Sequence, residues 1–196
     1  MIYTFEINGL PVQTGDIICT TDGGRPILAG EFWRILGKLV PGDVDHVAMY
    51  VGPAGLCVES AVTGVYAFEV IGSTWDAEKM HSQRLFLDTF YGVAYPLQDK
   101  SLPQDKEIKI RAGAAAYCLK QAAANKPYNL NLLDSQTEDA FYCSQLIYKA
   151  YLPHGIDLNT GLAVPNLKGA ESIIFPQEIW AGCVHRRAEI GCILDS

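Results

Sequence analysis

The sequence predicts an α+β fold in which an antiparallel β-sheet packs against helices. Residues 44–51 and 56–62 alternate between apolar and polar side chains on either side of the loop sequence GPAG, a pattern typical of a β-hairpin. Residues 103–125 are alanine-rich and begin with proline, which is typical of a long helix. Residues 141–151 carry apolar side chains at helical spacing and predict a second, amphipathic helix.

Length and composition favour one domain spanning residues 1–196. The chain is 49% hydrophobic, which allows it to bury a sizeable core. It has 15 Lys and Arg against 22 Asp and Glu, a net charge of −7, and no cluster of basic residues, so nucleic acid is not expected as a partner. No run of about 18 apolar residues occurs, and the sequence therefore predicts no membrane span.

The N-terminus and the cysteines bear on the cellular compartment. The first ten residues lack a basic segment and contain Glu6 where a signal peptide needs an unbroken apolar run, so no secretion signal is predicted. The six cysteines are scattered along a chain too long to need disulfide cross-links, which indicates reduced thiols. The sequence therefore predicts a cytoplasmic protein.

The remaining elements follow from shorter patterns of turn and apolar residues. A long loop or lid is expected near residues 159–169, where glycine, proline and asparagine recur. The other predicted elements, in chain order, are a strand over 17–20, a short helix over 27–39, a strand over 64–71, partial helix over 73–90, a strand over 92–97 and a closing strand within 182–192.

The predicted hairpin brings two titratable side chains together. If the four GPAG residues form its loop, Ala48 pairs with Glu59, and His46 lies on the same face as Glu59. Their backbones are then diagonal neighbours at about 7–8 Å, close enough for the carboxylate to orient the imidazole. A turn at residues 63–64 would bring the third strand alongside and place Phe68 opposite Glu59.

Cys143 heads the apolar stripe of the predicted amphipathic helix. Most cysteines on such a stripe are packing residues, but a thiol at a helix N-terminus is favoured as the reactive thiolate. Ser135 and Glu138 upstream have the spacing of a helix start, and Asp134, Glu138 and Asp139 place carboxylates near the thiol, which disfavour a second anion. The cysteine therefore needs a cationic partner to become reactive.

His46 and Glu59 supply what such a thiol requires. Attack on a carbonyl needs a base, a group that orients the base, and donors for the developing oxyanion. We assign Cys143 as the nucleophile, His46 as its base and ion-pair partner, and Glu59 as the orienting carboxylate. The backbone N–H of Cys143 would serve the oxyanion.

Five short motifs then resemble a known family. They are GDII at residues 15–18, DHVAMYVG at 45–52, VES at 58–60, PYN at 127–129 and YCSQL at 142–146. Together they are similar to the circularly permuted members of the NlpC-type papain-like cysteine hydrolases, the YiiX-like family, in which the histidine strand precedes the cysteine helix. The resemblance implies a papain-like fold, the same three catalytic residues, a substrate- or oxyanion-binding role for Tyr128, and no cofactor or metal.

The resemblance implies hydrolysis of amide bonds, with small peptides, cell-wall-derived peptides or amino-acid amides as substrates. Two alternatives stay open: a lipid acyltransferase or thioesterase related to lecithin-retinol acyltransferase, whose Asn-Cys-Glu-His signature is absent here, and a catalytically silent ligand-binding module. A zinc site is a further hypothesis, with too few ligands for a familiar site. Its candidate ligands are Cys183, His185 and Cys192. The sequence leaves the oligomeric state open.

Overall fold

The computed structural model describes residues 1–21, 42–85, 87–162 and 168–188. Within these ranges the chain forms a six-stranded antiparallel sheet, a separate two-stranded hairpin and four α-helices. The predicted α+β fold, with an antiparallel sheet packed against helices, is confirmed. None of the helices in the described part of the chain has the length and apolar composition that crossing a membrane would require.

The chain begins with a hairpin that the sequence analysis did not predict. Strands β1, Thr4–Ile7, and β2, Leu10–Gln13, are joined by Asn8 and Gly9, which both have positive φ angles, 48° and 78°. An Asn-Gly pair is the sequence typical of a two-residue hairpin turn, so the signal was present in the sequence. The hairpin packs on one face of the main sheet.

The main sheet has the strand order β6-β5-β4-β3-β7-β8, and every neighbouring pair is antiparallel. It contains the predicted central hairpin, the predicted third strand and the predicted closing strand. The six strands are β3 (Ile17–Thr21), β4 (His46–Tyr50), β5 (Leu56–Ala61), β6 (Gly64–Glu69), β7 (Thr89–Tyr95) and β8 (Val184–Arg187).

The register of the central hairpin is confirmed, whereas that of the third strand is corrected. Ala48 pairs with Glu59, as predicted. Ala61 pairs with Gly64, so the next turn contains only residues 62–63 and Tyr66, not Phe68, lies opposite Glu59. A Cβ on Gly64 would come within 2.5 Å of the Lys126 carbonyl oxygen, so glycine is needed where this turn meets the chain.

Four helices of the described ranges pack against the sheet. The predicted long helix is confirmed as α2, and the partial helix over 73–90 is reduced to α1, which Asp76 caps by accepting the Lys79 N–H at 3.1 Å. The bounds are α1 (Ala77–Arg84), α2 (Gln104–Ala123), α3 (Cys143–Tyr151) and α4 (Pro176–Gly182). The predicted helix over 27–39 and part of the predicted lid, residues 163–167, lie outside the described residues.

The Cys143 helix starts later than the upstream spacing of Ser135 and Glu138 suggested. It begins at Cys143 itself. Upstream, the Asp134 carboxylate accepts the Thr137 N–H at 3.1 Å and closes a local turn instead of a helix. The cysteine therefore lies at the true N-terminus of α3 rather than within its first turns.

The motif GDII connects the sheet to both long helices. Tyr151 at the end of α3 donates a hydrogen bond to the Gly15 carbonyl at 2.5 Å, and Arg111 of α2 donates to Asp16 at 2.7 Å. Arg111 also donates to the Thr14 carbonyl at 3.1 Å. All these groups are buried, so the turn before β3 fixes α2 and α3 relative to the sheet.

Candidate active site

Cys143 is the first residue of α3, and only 2% of its surface is exposed. Its neighbours on both sides are tied to Ile174: Tyr142 Oη accepts the Ile174 N–H at 3.0 Å, and Ser144 Oγ donates to the Ile174 carbonyl at 2.6 Å. Every residue of α3 is buried, so the helix is packed against other parts of the protein on all sides. The thiol is therefore held in a fixed position.

Gln145 defines the start of the helix. Its side-chain oxygen accepts the Tyr142 N–H at 3.2 Å and an amide hydrogen of Asn129 at 2.9 Å. The Tyr142 N–H has no acceptor within the helix, so this contact acts as a side-chain cap. The next N–H, that of Cys143, also lies in the first turn, where backbone donors are oriented towards an approaching anion.

His46 is the first residue of β4 and links the two other predicted catalytic residues. Its Nε2 lies 2.8 Å from Glu59 Oε2, and the Cys143 side chain interacts with the ring and raises its pKa. The exposed fraction of the imidazole is 14%. Burial lowers the pKa of His46, but the hydrogen bond and charge of Cys143, with the bond and charge of Glu59, outweigh it and raise the pKa to about 10. The geometry thus favours an imidazolium.

Glu59 is fully buried and accepts four hydrogen bonds. Oε1 accepts from Tyr66 Oη at 2.8 Å and from Arg84 Nε at 2.8 Å. Oε2 accepts from Arg84 Nη2 at 2.8 Å and faces His46 Nε2 at the same distance. Burial raises the pKa of Glu59, but the charge of Arg84 and the hydrogen bonds from His46 and Arg84 lower it to about 2. Glu59 is therefore a carboxylate near neutral pH.

This ionisation state assigns the roles of the two imidazole nitrogens. A carboxylate can only accept hydrogen bonds, so Nε2 of His46 carries the proton that faces Glu59. Nδ1 is then the nitrogen that can act as a base towards Cys143. The arrangement of carboxylate, imidazole and thiol is that of a nucleophile with its base and orienting group.

Tyr128 lies beside the segment that leads into α3. It forms a parallel bridge with Phe141, two residues before Cys143. The Asn129 N–H donates to the Phe141 carbonyl at 3.0 Å, and Ser60 Oγ donates to the same oxygen at 2.6 Å. The structure thus places Tyr128 next to the nucleophile segment and ties that segment to β5, the strand of Glu59.

Arg84, Asp88 and Tyr66 are site residues that the sequence analysis missed. Tyr66 would have been found by the correct register of β6, since it lies opposite Glu59. Arg84 ends α1 and Asp88 follows it by four residues, a spacing typical of a helical ion pair, but nothing in the sequence indicates that both are buried or that Arg84 also pairs with Glu59. Only the tertiary structure brings α1 to the hairpin.

The predicted zinc ligands do not form a group in the described residues. Cys192 lies outside the described ranges, and within them no cluster of three or more histidine, cysteine or carboxylate side chains is placed to hold a metal ion. Cys183 is buried, and the His185 ring packs against Trp180 at a tilt of 31°, with ring centroids 4.2 Å apart. His185 Nδ1 is hydrogen-bonded to the Cys183 carbonyl at 2.9 Å.

Glu59 should make the protein sensitive to acid. Its folded pKa of about 2 lies below its ordinary value of 4.5, so its contribution to stability is present above about pH 4.5 and is lost as the pH falls towards 2. We expect Glu59→Gln to be less stable than the wild type at pH 6 and to show a shallower loss of stability between pH 4.5 and pH 2.5, measured by urea unfolding.

Asp139→Asn is the matched control for this measurement, because the Asp139 side chain is 98% exposed. It should keep the slope of the wild type over the same pH range. An unchanged slope in Glu59→Gln would mean that Glu59 is not held as a carboxylate by its neighbours.

No family model, curated protein or solved structure matches this chain in the comparisons with known proteins. The function is therefore inferred from the geometry of the site.

Proposed function

We propose that the chain is a cysteine-dependent amide hydrolase with a circularly permuted papain-like arrangement, acting on small peptides or amino-acid amides. One observation carries this proposal: His46 Nε2 lies 2.8 Å from the Glu59 carboxylate, and the Cys143 side chain interacts with the same imidazole and raises its pKa. A structural histidine needs one satisfied partner, whereas a base needs an orienting group on one nitrogen and a nucleophile on the other. The strand of His46 also precedes the helix of Cys143, the order of the permuted papain-like enzymes that the motifs resemble.

The reaction would proceed through an acyl-enzyme. The Cys143 thiolate attacks the substrate carbonyl, and the N–H of Cys143 at the start of α3 donates to the developing oxyanion. The His46 imidazolium protonates the leaving amine, and the neutral imidazole then activates the water that hydrolyses the thioester. Tyr128, beside the nucleophile segment, is proposed to contact the substrate or the oxyanion.

Alkylation of Cys143 tests the proposed ion pair. We expect iodoacetamide to label Cys143 well below pH 8 in the wild type, because thiolate is the reacting species and an imidazolium partner would stabilise it. In His46→Gln the rate should follow an ordinary thiol, with a midpoint near about 8.5. The label is quantified by mass spectrometry of the Cys143 peptide. Identical profiles in the two proteins would contradict the proposal.

Substrate panels separate amide hydrolysis from the alternatives. Aminoacyl amides and short peptides should be turned over, and quenched reactions should show the acyl-enzyme mass on Cys143. An acyl mass from long-chain esters but not from peptides would instead support a lipid acyltransferase or thioesterase. Absence of turnover with both classes, together with an ordinary thiol profile, would indicate a ligand-binding module.

A further inference from the structure

Arg84 is a fully buried cation that the proposed reaction does not itself use. It ends α1, and 1% of its surface is exposed. Its Nε and Nη2 donate to the two oxygens of Glu59, each at 2.8 Å, which is a bidentate pair. On its other side Nη1 and Nη2 donate to Asp88, at 2.6 and 2.8 Å. Arg84 therefore joins the catalytic carboxylate to a second, buried carboxylate.

The guanidinium is also fixed by aromatic packing. Its central carbon lies 4.6 Å from the ring centroid of Phe68 and 4.6 Å from that of Trp75. The Trp75 indole N–H donates to Asp88 Oδ1 at 3.1 Å, so the ring that packs on Arg84 also holds its second partner. A guanidinium held in this way fixes the plane of the Glu59 carboxylate.

The two buried carboxylates of this cluster are matched by two cations only when His46 is protonated. With Glu59 and Asp88 ionised, Arg84 neutralises one of the two buried carboxylates, and the imidazolium of His46 neutralises the other. The other titratable groups that face Glu59 are the Tyr66 hydroxyl and the Cys57 thiol, and their pKa values are raised by burial and then by the charge of Glu59. They stay uncharged near neutral pH and do not change this balance.

We propose that Arg84 is a positioning residue for catalysis: with Asp88 behind it, Arg84 holds Glu59 as an oriented carboxylate, and Glu59 in turn holds His46 as the imidazolium that pairs with the Cys143 thiolate. The proposal rests on the proposed function. Charge then alternates along Asp88, Arg84, Glu59, His46 and Cys143, and each member stabilises the charged form of the next. Arg84 acts through Glu59 and does not contact the substrate.

The pH profile of Cys143 alkylation tests this role, with Arg84→Gln and Arg84→Lys as variants. Loss of the Arg84 charge weakens the hold of Glu59 on the imidazolium, so the midpoint of the Arg84→Gln profile should rise by at least about one pH unit, which lowers labelling about tenfold at pH values well below both midpoints. Lysine keeps the positive charge but cannot form the bidentate contact with Glu59, so the labelling midpoint of Arg84→Lys should lie between those of Arg84→Gln and the wild type. The pH profile of turnover should shift in the same order.

Arg111→Lys is the matched control. Arg111 is also buried and paired with a carboxylate, but its partner is Asp16 and not Glu59. This variant should lose stability and keep the wild-type labelling profile. Unfolding curves recorded beside each profile restrict the comparison to conditions in which the proteins are folded. If Arg84→Gln does not fold, Arg84→Lys and Asp88→Asn decide, and both should show raised midpoints.

Failure of the proposed function and failure of the role proposed for Arg84 give different results. A wild-type profile like that of an ordinary thiol, unchanged by His46→Gln, overturns the proposed function and with it the role of Arg84. A low midpoint in the wild type that is lost in His46→Gln but kept in every folded Arg84 and Asp88 variant leaves the proposed function intact. That second result would show that Arg84 is only a structural residue.

Discussion

Replacing Cys143 with alanine should reduce turnover of amide substrates by at least about 10⁴-fold, the scale of loss seen when a catalytic nucleophile is removed. The exchange removes one sulfur atom from a site of which 2% is exposed, so the free energy of unfolding should change by only about 1 kcal/mol. Steady-state kinetics on the best substrate of the panel, together with urea unfolding, measures both quantities.

Cys118→Ala is the control for this experiment. Cys118 is likewise a free, fully buried helical cysteine, in α2, and it is outside the hydrogen bonds of His46. Its exchange should cost similar stability and leave turnover unchanged. A Cys143→Ala protein that keeps every activity and binding property of the wild type would mean that the pocket binds a ligand without chemistry.

Replacing Arg111 with alanine should destabilise the protein by about 3–5 kcal/mol, because it leaves a buried carboxylate without its cation. Arg111 donates to Asp16 at 2.7 Å and to the Thr14 carbonyl at 3.1 Å, and both acceptors lose their partner together. Burial already raises the pKa of Asp16 against the opposing charge of Arg111, so in the variant Asp16 should be protonated at a still higher pH. Urea unfolding at pH 7 measures the loss.

The exposed Arg186 of β8 provides the comparison for Arg111→Ala. Both side chains line the same surface cavity of about 390 Å³, but Arg186 is exposed to solvent. Arg186→Ala should leave the unfolding midpoint unchanged. Equal effects of the two substitutions would show that the pairing with Asp16 contributes nothing beyond the loss of a surface charge.

The sequence was sufficient for the parts of the site that depend on local geometry. A four-residue loop determines the register of the central hairpin, and that register places His46 and Glu59 on one face. For the next turn, the same argument placed the two turn residues one position too late, at 63–64 instead of 62–63. Val62 belongs to the turn and not to the strand. The strand pairing was therefore wrong by two positions. Such an error leaves each side chain on the same face of the sheet but gives Glu59 the wrong partner, Phe68, and Tyr66 was missed for this reason.

The environment of Glu59 could not be predicted from the sequence. Arg84 reaches Glu59 across 25 positions, and its burial depends on Phe68 and Trp75 enclosing the guanidinium. Apolar periodicity reports which face of an element is buried, and α1 is a short polar helix without a clear apolar face. A buried charge in such a helix is visible only once its carboxylate partners are in place.

The hydrogen bond from Ser60 to the Phe141 carbonyl joins residues 81 positions apart, and it has a consequence for the stage of folding at which the candidate site is assembled. Contacts of such long range form late in folding, because the intervening chain must first be ordered. On the ribosome, Cys143 emerges about 97 residues after His46 (143 − 46), and until the two halves dock its thiol is an ordinary one. We therefore expect the reactive thiolate to arise only on completion of folding, so that immature or misfolded chains carry no active nucleophile.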